Sequence, residues 1–259
     1  MKLPEITYED ENVFVFNKPA GLMVHGDGRS PKESEAPYGA GAQKTLADIL
    51  IEHYPEMKEV GEPMRAKTGA GAEKIIYRPG IVHRLDKDTT GALVVAKNEK
   101  TFQFLKKQFQ ERAVIKKYLA IVRGSVKDES GLISRPIGRS RSDFRKWSAQ
   151  RGARGEMREA VTEYKVVKRF LKDGEKFTLL EVFPKTGRTH QIRVHLKAIN
   201  YPIIGDKLYG DSRGEVLGFN RPALHAALVS FESAPGRRVL AEAPLPEDFQ
   251  KAVANAGGL

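Results

Sequence analysis

The feature that most constrains this chain is a pair of strand-like runs, residues 161–167 and 177–183, lying on either side of Lys172-Asp173-Gly174. Asp-Gly between two such runs is a strong local signal for a β-hairpin, because both residues accept the positive φ that a tight turn demands. A hairpin commits this part of the chain to antiparallel pairing. Further short strands are expected at 13–16, 92–96, 117–122, 224–231 and 239–243. Helical spacing of apolar residues is sparser. It occurs behind Thr45 (Leu46, Ile49, Leu50, Tyr54), behind Asn98 (Phe102, Leu105, Phe109), behind Thr189 (Ile192, Leu196, Ile199) and over 244–254. Strands outnumber helices and many neighbours are joined by short turns. The reading is an α+β fold, a mostly antiparallel mixed β-sheet with flanking helices. No linker divides the chain, so 1–259 is read as a single domain, with two lobes flanking a central cleft. Gly-, Ala- and Pro-rich stretches at 26–44 and 58–74 form an irregular insertion over about 26–75.

Charge narrows the partner. Lys and Arg total 44 against 33 Asp and Glu, a net charge of +11. Such an excess favours a polyanion through counterion release. The cations cluster between 139 and 158, where Arg139, Arg141, Arg145, Lys146, Arg151, Arg154 and Arg158 surround Phe144 and Trp147. Cations there would hold phosphates and an aromatic would stack on an unpaired base. The plainer alternative is a solvated loop. Cysteine is absent, which excludes disulfides and thiolate chemistry. No eighteen-residue apolar run and no apolar leader occur, so the expected setting is the cytoplasm, without a membrane.

Two segments are dense enough in polar groups to carry chemistry. In the first, His83-Arg84-Leu85-Asp86-Lys87-Asp88-Thr89-Thr90-Gly91, two carboxylates, two cations and two hydroxyl groups sit between a Pro-Gly turn and a buried strand. A self-satisfied turn explains the same residues. In the second, 183–195, Lys185 and Arg188 precede a helix start whose N–H groups could hold a phosphate, and Arg193 lies one turn further on. A capped helix with exposed cations is the alternative. Other chemistries fit poorly. His190 and His195 are five apart and do not share a helix face, there is no phosphate-binding Gly-x-x-x-x-Gly-Lys-Ser/Thr, and no Gly-x-Ser-x-Gly elbow. Asp86 and Asp88 superficially suit a glycosidase, but a two-residue offset in a turn defines no separation.

At this point a resemblance becomes specific. The run 83–91 is similar to the His-Arg-Leu-Asp-x-x-Thr-Ser-Gly signature of the RluA-type pseudouridine synthases, with Thr90 in place of serine. Asn17-Lys18-Pro19-Ala20-Gly21-Leu22-Met23-Val24-His25 resembles that family's first motif, Lys117-Tyr118-Leu119-Ala120 its tyrosine strand, residues 186–193 with Pro202-Ile203-Ile204-Gly205-Asp206 its third motif, and Arg221-Pro222-Ala223-Leu224-His225-Ala226 its C-terminal strand. The motifs occur in the family's order over roughly residues 7–250.

The resemblance implies the pseudouridine synthase fold and the conversion of uridine to pseudouridine in ribosomal or transfer RNA, with no cofactor and no metal. It implies Asp86 as the nucleophile, attacking either the ribose or the base, Arg193 as the cation paired with it, and Tyr118 as the residue meeting the base. Arg84 would enter the RNA stack where the base leaves. Ile192 would supply an apolar wall, and His83, Lys18, Lys185, Arg188, Arg139 and Arg141 would contact RNA. With the first catalytic-domain strand near Val13, no separate N-terminal RNA-binding domain is expected, and the enzyme is expected to act as a monomer. A non-catalytic RNA-binding protein on the same fold is the main competitor.

Overall fold

The computed structural model describes residues 2–26, 44–67, 73–141, 143, 145–150, 153–210 and 215–256. Most of the 26–44 excursion, together with Phe144 and Arg151, lies outside them. The chain divides into two compact units. One comprises Met1–Lys87, Ala92–Val114 and Ser230–Ala241, and the other Asp88–Gly91, Ile115–Val229 and Glu242–Leu259.

The first unit opens with β1 (Glu5–Glu9) and β2 (Val13–Lys18), an antiparallel pair. The Asp10 carboxylate turns the chain between them, accepting from the backbone N–H groups of Asn12 (2.8 Å) and Val13 (2.9 Å). The sheet thus begins one strand earlier than the sequence reading placed it. β1 is only half-buried and carries Glu at both ends, so its hydrophobic signal is weak. By contrast Val13, Phe14, Val15 and Phe16 are all buried. That continuous apolar run marks a strand covered on both faces. Its neighbour is β5 (Thr90–Ala96), whose seven residues are all buried.

Helix α1 (Leu46–His53) starts where expected. Thr45 and Asp48 form a capping box, each side chain satisfying the other's backbone N–H. Helix α2 (Glu99–Gln110) is capped by Asn98, whose side chain accepts from Thr101 N at 2.9 Å. It buries Phe102 and Leu105, while Gln108 exchanges two hydrogen bonds with the Glu232 backbone. A short 3-10 helix (Pro55–Glu59) runs into the stretch 58–74, read as loop, which then carries β3 (Met64–Lys67). With β4 (Glu73–Ile76), β3 forms a two-stranded ribbon. The ribbon's strands are only four residues each and Ile75 is exposed, so its hydrophobic signal is weak.

The second unit is built on β6 (Ile115–Arg123), β7 (Ser130–Ser134), β11 (Val161–Lys172) and β12 (Glu175–Pro184). With β13 (Leu224–Ala234) the order is β13-β6-β12-β11-β7. β11 and β12 are the hairpin expected from the sequence. Lys172 pairs with Glu175 across Asp173 (φ 51°) and Gly174 (φ 77°), both in the left-handed region the turn requires. Between β7 and β11 a separate three-stranded antiparallel sheet forms from β8 (Ile137–Arg139), β9 (Trp147–Ser148) and β10 (Arg154–Arg158), ordered β10-β8-β9. The basic 139–158 segment is therefore partly sheet rather than loop. Helix α3 (Gln191–Ala198) lies in this unit, as does α4 (Glu247–Asn255). The strand β14 (Arg237–Glu242) pairs with β13.

One parallel pairing makes the sheet mixed. His225 and Ala226 of β13 pair with Thr90 and Gly91 of β5. Gly91 has φ +113°, and a Cβ there would lie 2.2 Å from Ala226 O, so no side chain fits. Thr90 Oγ1 bonds His225 Nδ1 at 2.9 Å, and His225 Nε2 lies 3.2 Å from Ala243 O. The carbonyl can only accept, so Nε2 carries the proton and Nδ1 accepts the threonine hydroxyl hydrogen. This bond explains why threonine suffices where the family signature has serine: the hydroxyl is the working part.

His225 is fully buried, and burial pushes its pKa down to about 4. A histidine held neutral in the fold but titrating normally when unfolded contributes stability that is complete above its unfolded pKa. That stability is lost as pH falls from there through the folded value. From about 6.5 to about 4 the loss attributable to His225 is about 3 kcal/mol. Denaturant unfolding at neutral pH and near pH 4.5 is expected to show a larger acid loss in the wild type than in a folded His225→Gln variant. Equal losses would mean the imidazole is not the acid-sensitive group.

Candidate active site

In the first unit the site is the turn that follows the isolated bridge between Ile81 and Val95. Leu85 is buried and anchors the turn, while Asp86 beside it is half-buried and Arg84 exposed. Two further residues fix the turn, and both differ from expectation. His83, expected to contact RNA, faces inward. Its Nε2 accepts from Val94 N of β5 at 2.9 Å, and its ring stacks on Phe109 of α2 with centroids 4.7 Å apart. Lys18, also expected at the RNA, is fully buried. Its ammonium donates to Pro19 O (2.9 Å), Leu22 O (2.9 Å) and Lys87 O (2.8 Å). Three carbonyls match its three protons. The first motif therefore acts as a clip, closing its own turn and gripping the carbonyl next to Asp86. A buried lysine is rare unless its donors are matched in this way, so burial was not the natural reading of Lys18. Asp88 is exposed, and its carbonyl accepts from Arg221 Nη1 at 3.2 Å.

In the second unit, Tyr118 is buried on β6 opposite Val182 of β12. Lys116, two residues earlier and so on the same face of the strand, is half-buried, and burial pushes its ammonium down to about 8. The sequence reading passed over it, since a Lys-Lys pair at a strand start looks like solvated charge.

Arg193 lies in the first turn of α3 and is buried. Its guanidinium is held by Asp206, with Nε to Oδ2 at 2.7 Å and Nη2 to Oδ1 at 2.9 Å. Asp206 is buried too, and its Oδ1 also accepts from Leu208 N (3.0 Å) and Tyr209 N (3.1 Å). A bidentate pair of this kind fixes the plane of the guanidinium as well as its position. The guanidinium carbon stands 5.0 Å from the Tyr209 ring centroid. The Tyr209 hydroxyl accepts from Trp147 N (2.9 Å) and bonds His190 Nδ1 (2.8 Å). Trp147 in turn lies under Arg139, whose guanidinium carbon is 4.2 Å from its ring centroid. Tyr209, Ile137, Ala160 and Val194 form one buried cluster with Trp147 packed against it. The basic sheet is thus joined by packing and hydrogen bonds to the residue that supports Arg193. Trp147, considered for base stacking, is instead half-buried within this support, while Arg139 and Arg141 are exposed. Asp206 and Tyr209 were not singled out in the sequence, although Asp206 closes the third motif.

The 184–191 turn is rigid. Gln191 Oε1 accepts from Thr186 Oγ1 (2.6 Å) and Arg188 N (3.0 Å), while its Nε2 donates to Val161 O and Thr162 Oγ1, both at 3.0 Å. The helix cap is His190 in a left-handed conformation (φ 55°), not Thr189. Arg188 N, a donor considered for a phosphate, is therefore taken by Gln191, and Arg188 Nε donates to Glu159 O at 3.0 Å. Lys185 is exposed and pairs with Glu163 at 2.8 Å. Ile192 is buried. No group of three or more metal-ligating side chains occurs among the described residues, and no described helix is long and apolar enough to cross a membrane.

The chain is similar to known proteins along most of its length. Residues 12–198 match the RNA pseudouridylate synthase family. An uncharacterised RNA pseudouridine synthase of Bacillus subtilis is 38% identical over 252 residues, covering 97% of this chain and 72% of that protein. Ribosomal large subunit pseudouridine synthase D of Pseudomonas aeruginosa is also 38% identical, covering 95% and 69%. A third relative, an uncharacterised RNA pseudouridine synthase of Aquifex aeolicus, is 43% identical, but this chain spans only 55% of its length. Among solved structures, human RNA pseudouridylate synthase domain containing 4 superposes with a TM-score of 0.68 at 26% identity, covering 97% of this chain and 92% of that one. A fold shared along nearly the whole chain, and a family match that contains the Asp86 turn, Tyr118 and Arg193, leave one conclusion: this chain belongs to the RluA-type RNA pseudouridine synthases.

Proposed function

We propose that the chain isomerises uridines in structured RNA, with Asp86 as nucleophile, and that its substrate is ribosomal RNA of the large subunit rather than transfer RNA. The observation that carries the reading is the family match across residues 12–198, a span that includes the Asp86 turn, and the clamping of that turn by Lys18 and His83 is consistent with it. Relatives named for the large ribosomal subunit support the choice of RNA.

The reaction is an internal exchange. The bond from ribose C1′ to uracil N1 breaks, a bond from C1′ to C5 forms, the C5 proton leaves and N1 gains one. Nothing is oxidised, and the balance calls for no cofactor or metal. An ionised Asp86 carboxylate attacks either C1′ or the base and holds the fragment while the ring turns. Arg193, already fixed by Asp206, presents its charge to Asp86 and keeps it ionised. Tyr118 meets the base and assists removal of the C5 proton, with Ile192 as an apolar wall. Arg84 fills the gap left in the RNA stack, offsetting part of the cost of flipping the base out. Arg139 and Arg141 on the basic sheet, with Lys185 and Arg188, contact the RNA backbone. The whole chain is taken to work as one catalytic domain and as a monomer, and the absence of cysteine suits a reducing cytoplasm.

The test is release of tritium from ribosomal RNA labelled at uridine C5, followed by mapping of pseudouridines in cells with and without the protein. Release, together with a site in large-subunit RNA that disappears with the gene, is expected. No release from either ribosomal or transfer RNA would overturn the reading, and release from transfer RNA alone would overturn the choice of substrate.

A further inference from the structure

We propose that Arg78 forms a binding site for an RNA phosphodiester beside Arg84 and the Asp86 turn. The proposal rests on the RNA-modifying function above and adds a specific contact to it.

Arg78 is set rigidly. Ile81 N donates to Arg78 O (3.1 Å), Gly80 N to Val60 O (2.9 Å), and Ala96 N to Gly80 O (2.9 Å). Gly80 has φ +62°, and a Cβ on it would lie 1.9 Å from Ala96 O, so this stretch lies flush against β5. The side chain of Arg78 emerges from the anchored turn half-buried. Its Nε is shielded from solvent and has no hydrogen-bond partner among the described residues. Leaving a buried charged donor unsatisfied is costly, so such an atom calls for an explanation.

The surrounding charge makes the deficit larger. Arg84 lies close enough that its positive charge disfavours the protonated form of Arg78, in addition to the larger effect of burial. The carboxylate that favours that form is Glu62. Glu62, however, is already bonded through Oε1 to the Lys106 ammonium. The carboxylate that favours a charged Arg78 is thus already bonded to Lys106, and Arg84 adds like charge beside it. A phosphodiester supplies the missing negative charge and two non-bridging oxygens in the spacing a guanidinium fork recognises. A chain of net charge +11 acting on RNA meets that group in every nucleotide.

Arg84 is expected to enter the RNA stack, and a phosphate at Arg78 would hold the strand where that insertion occurs. Arg78 would then act in binding rather than in the chemical step.

The experiment measures binding of a large-subunit ribosomal RNA transcript by the wild type, Arg78→Gln and Arg78→Lys across about 50–200 mM salt. Losing one phosphate contact should make the slope of log K against log salt shallower by about 0.7–0.9 in Arg78→Gln. Arg78→Lys should keep the slope and lose affinity severalfold, because an ammonium cannot fork. An unchanged slope in Arg78→Gln overturns the proposal. So does loss of the cooperative melting transition in both variants, which would assign Arg78 to the fold. Failure of the enzymatic reading would look different: no pseudouridine from the wild type, with the slopes still distinct.

Discussion

Replacing Asp86 by asparagine is expected to lower pseudouridine formation at least about 10,000-fold, the scale on which enzymes lose turnover when a nucleophile is removed. The substitution keeps the side chain's shape and removes its charge. An amide oxygen is too weak a nucleophile to form the covalent intermediate. The turn itself should survive, because its anchors lie elsewhere: Leu85 in the core, His83 on Val94 N, and Lys18 on Lys87 O. RNA affinity should therefore stay within a few fold of wild type while tritium release disappears. That split matters, since a variant that lost both would report only a damaged fold. Wild-type release by Asp86→Asn would remove Asp86 from the mechanism altogether.

The anchors of Asp86 also show which parts of this protein can be read from its sequence. The β11–β12 hairpin was legible because Asp173-Gly174 fixes the turn through local backbone preference. The starts of α1 and α2 were legible because Thr45 and Asn98 bond groups only three residues away. What failed depends on distant partners. Lys18 looked like a surface cation, yet one of its acceptors lies 69 residues away at Lys87. His83 looked available to RNA, yet its Nε2 accepts from Val94 N of β5. The 139–158 segment looked like a loop because Trp147 is held by Tyr209, 62 residues on, and no local periodicity records that bond. Even Asp86 was an even choice between turn and nucleophile on local spacing, and only the ordered series of motifs decided it.

Asp206 is the clearest residue of this kind, and replacing it should cause the largest loss of stability. Its buried carboxylate carries both bonds to the Arg193 fork and two backbone N–H groups. Asp206→Ala would take from a buried guanidinium the bidentate carboxylate that holds it, a change of the kind that costs about 3–5 kcal/mol. At about 2–4 °C per kcal/mol for a chain of this size, the melting temperature should fall by roughly 10 °C. Asp206→Asn keeps an acceptor for Leu208 N and Tyr209 N but loses the charge, so it should lose less stability. Its effect on activity should nevertheless be large. Arg193 would no longer be fixed in plane, so the support proposed for the Asp86 carboxylate would be impaired. A fold-change in kcat well beyond that in KM is the expected signature, measured under conditions where the variant is fully folded. If Asp206→Asn melts lower but turns over normally, Arg193 needs no support from Asp206, and the pair belongs to the fold alone.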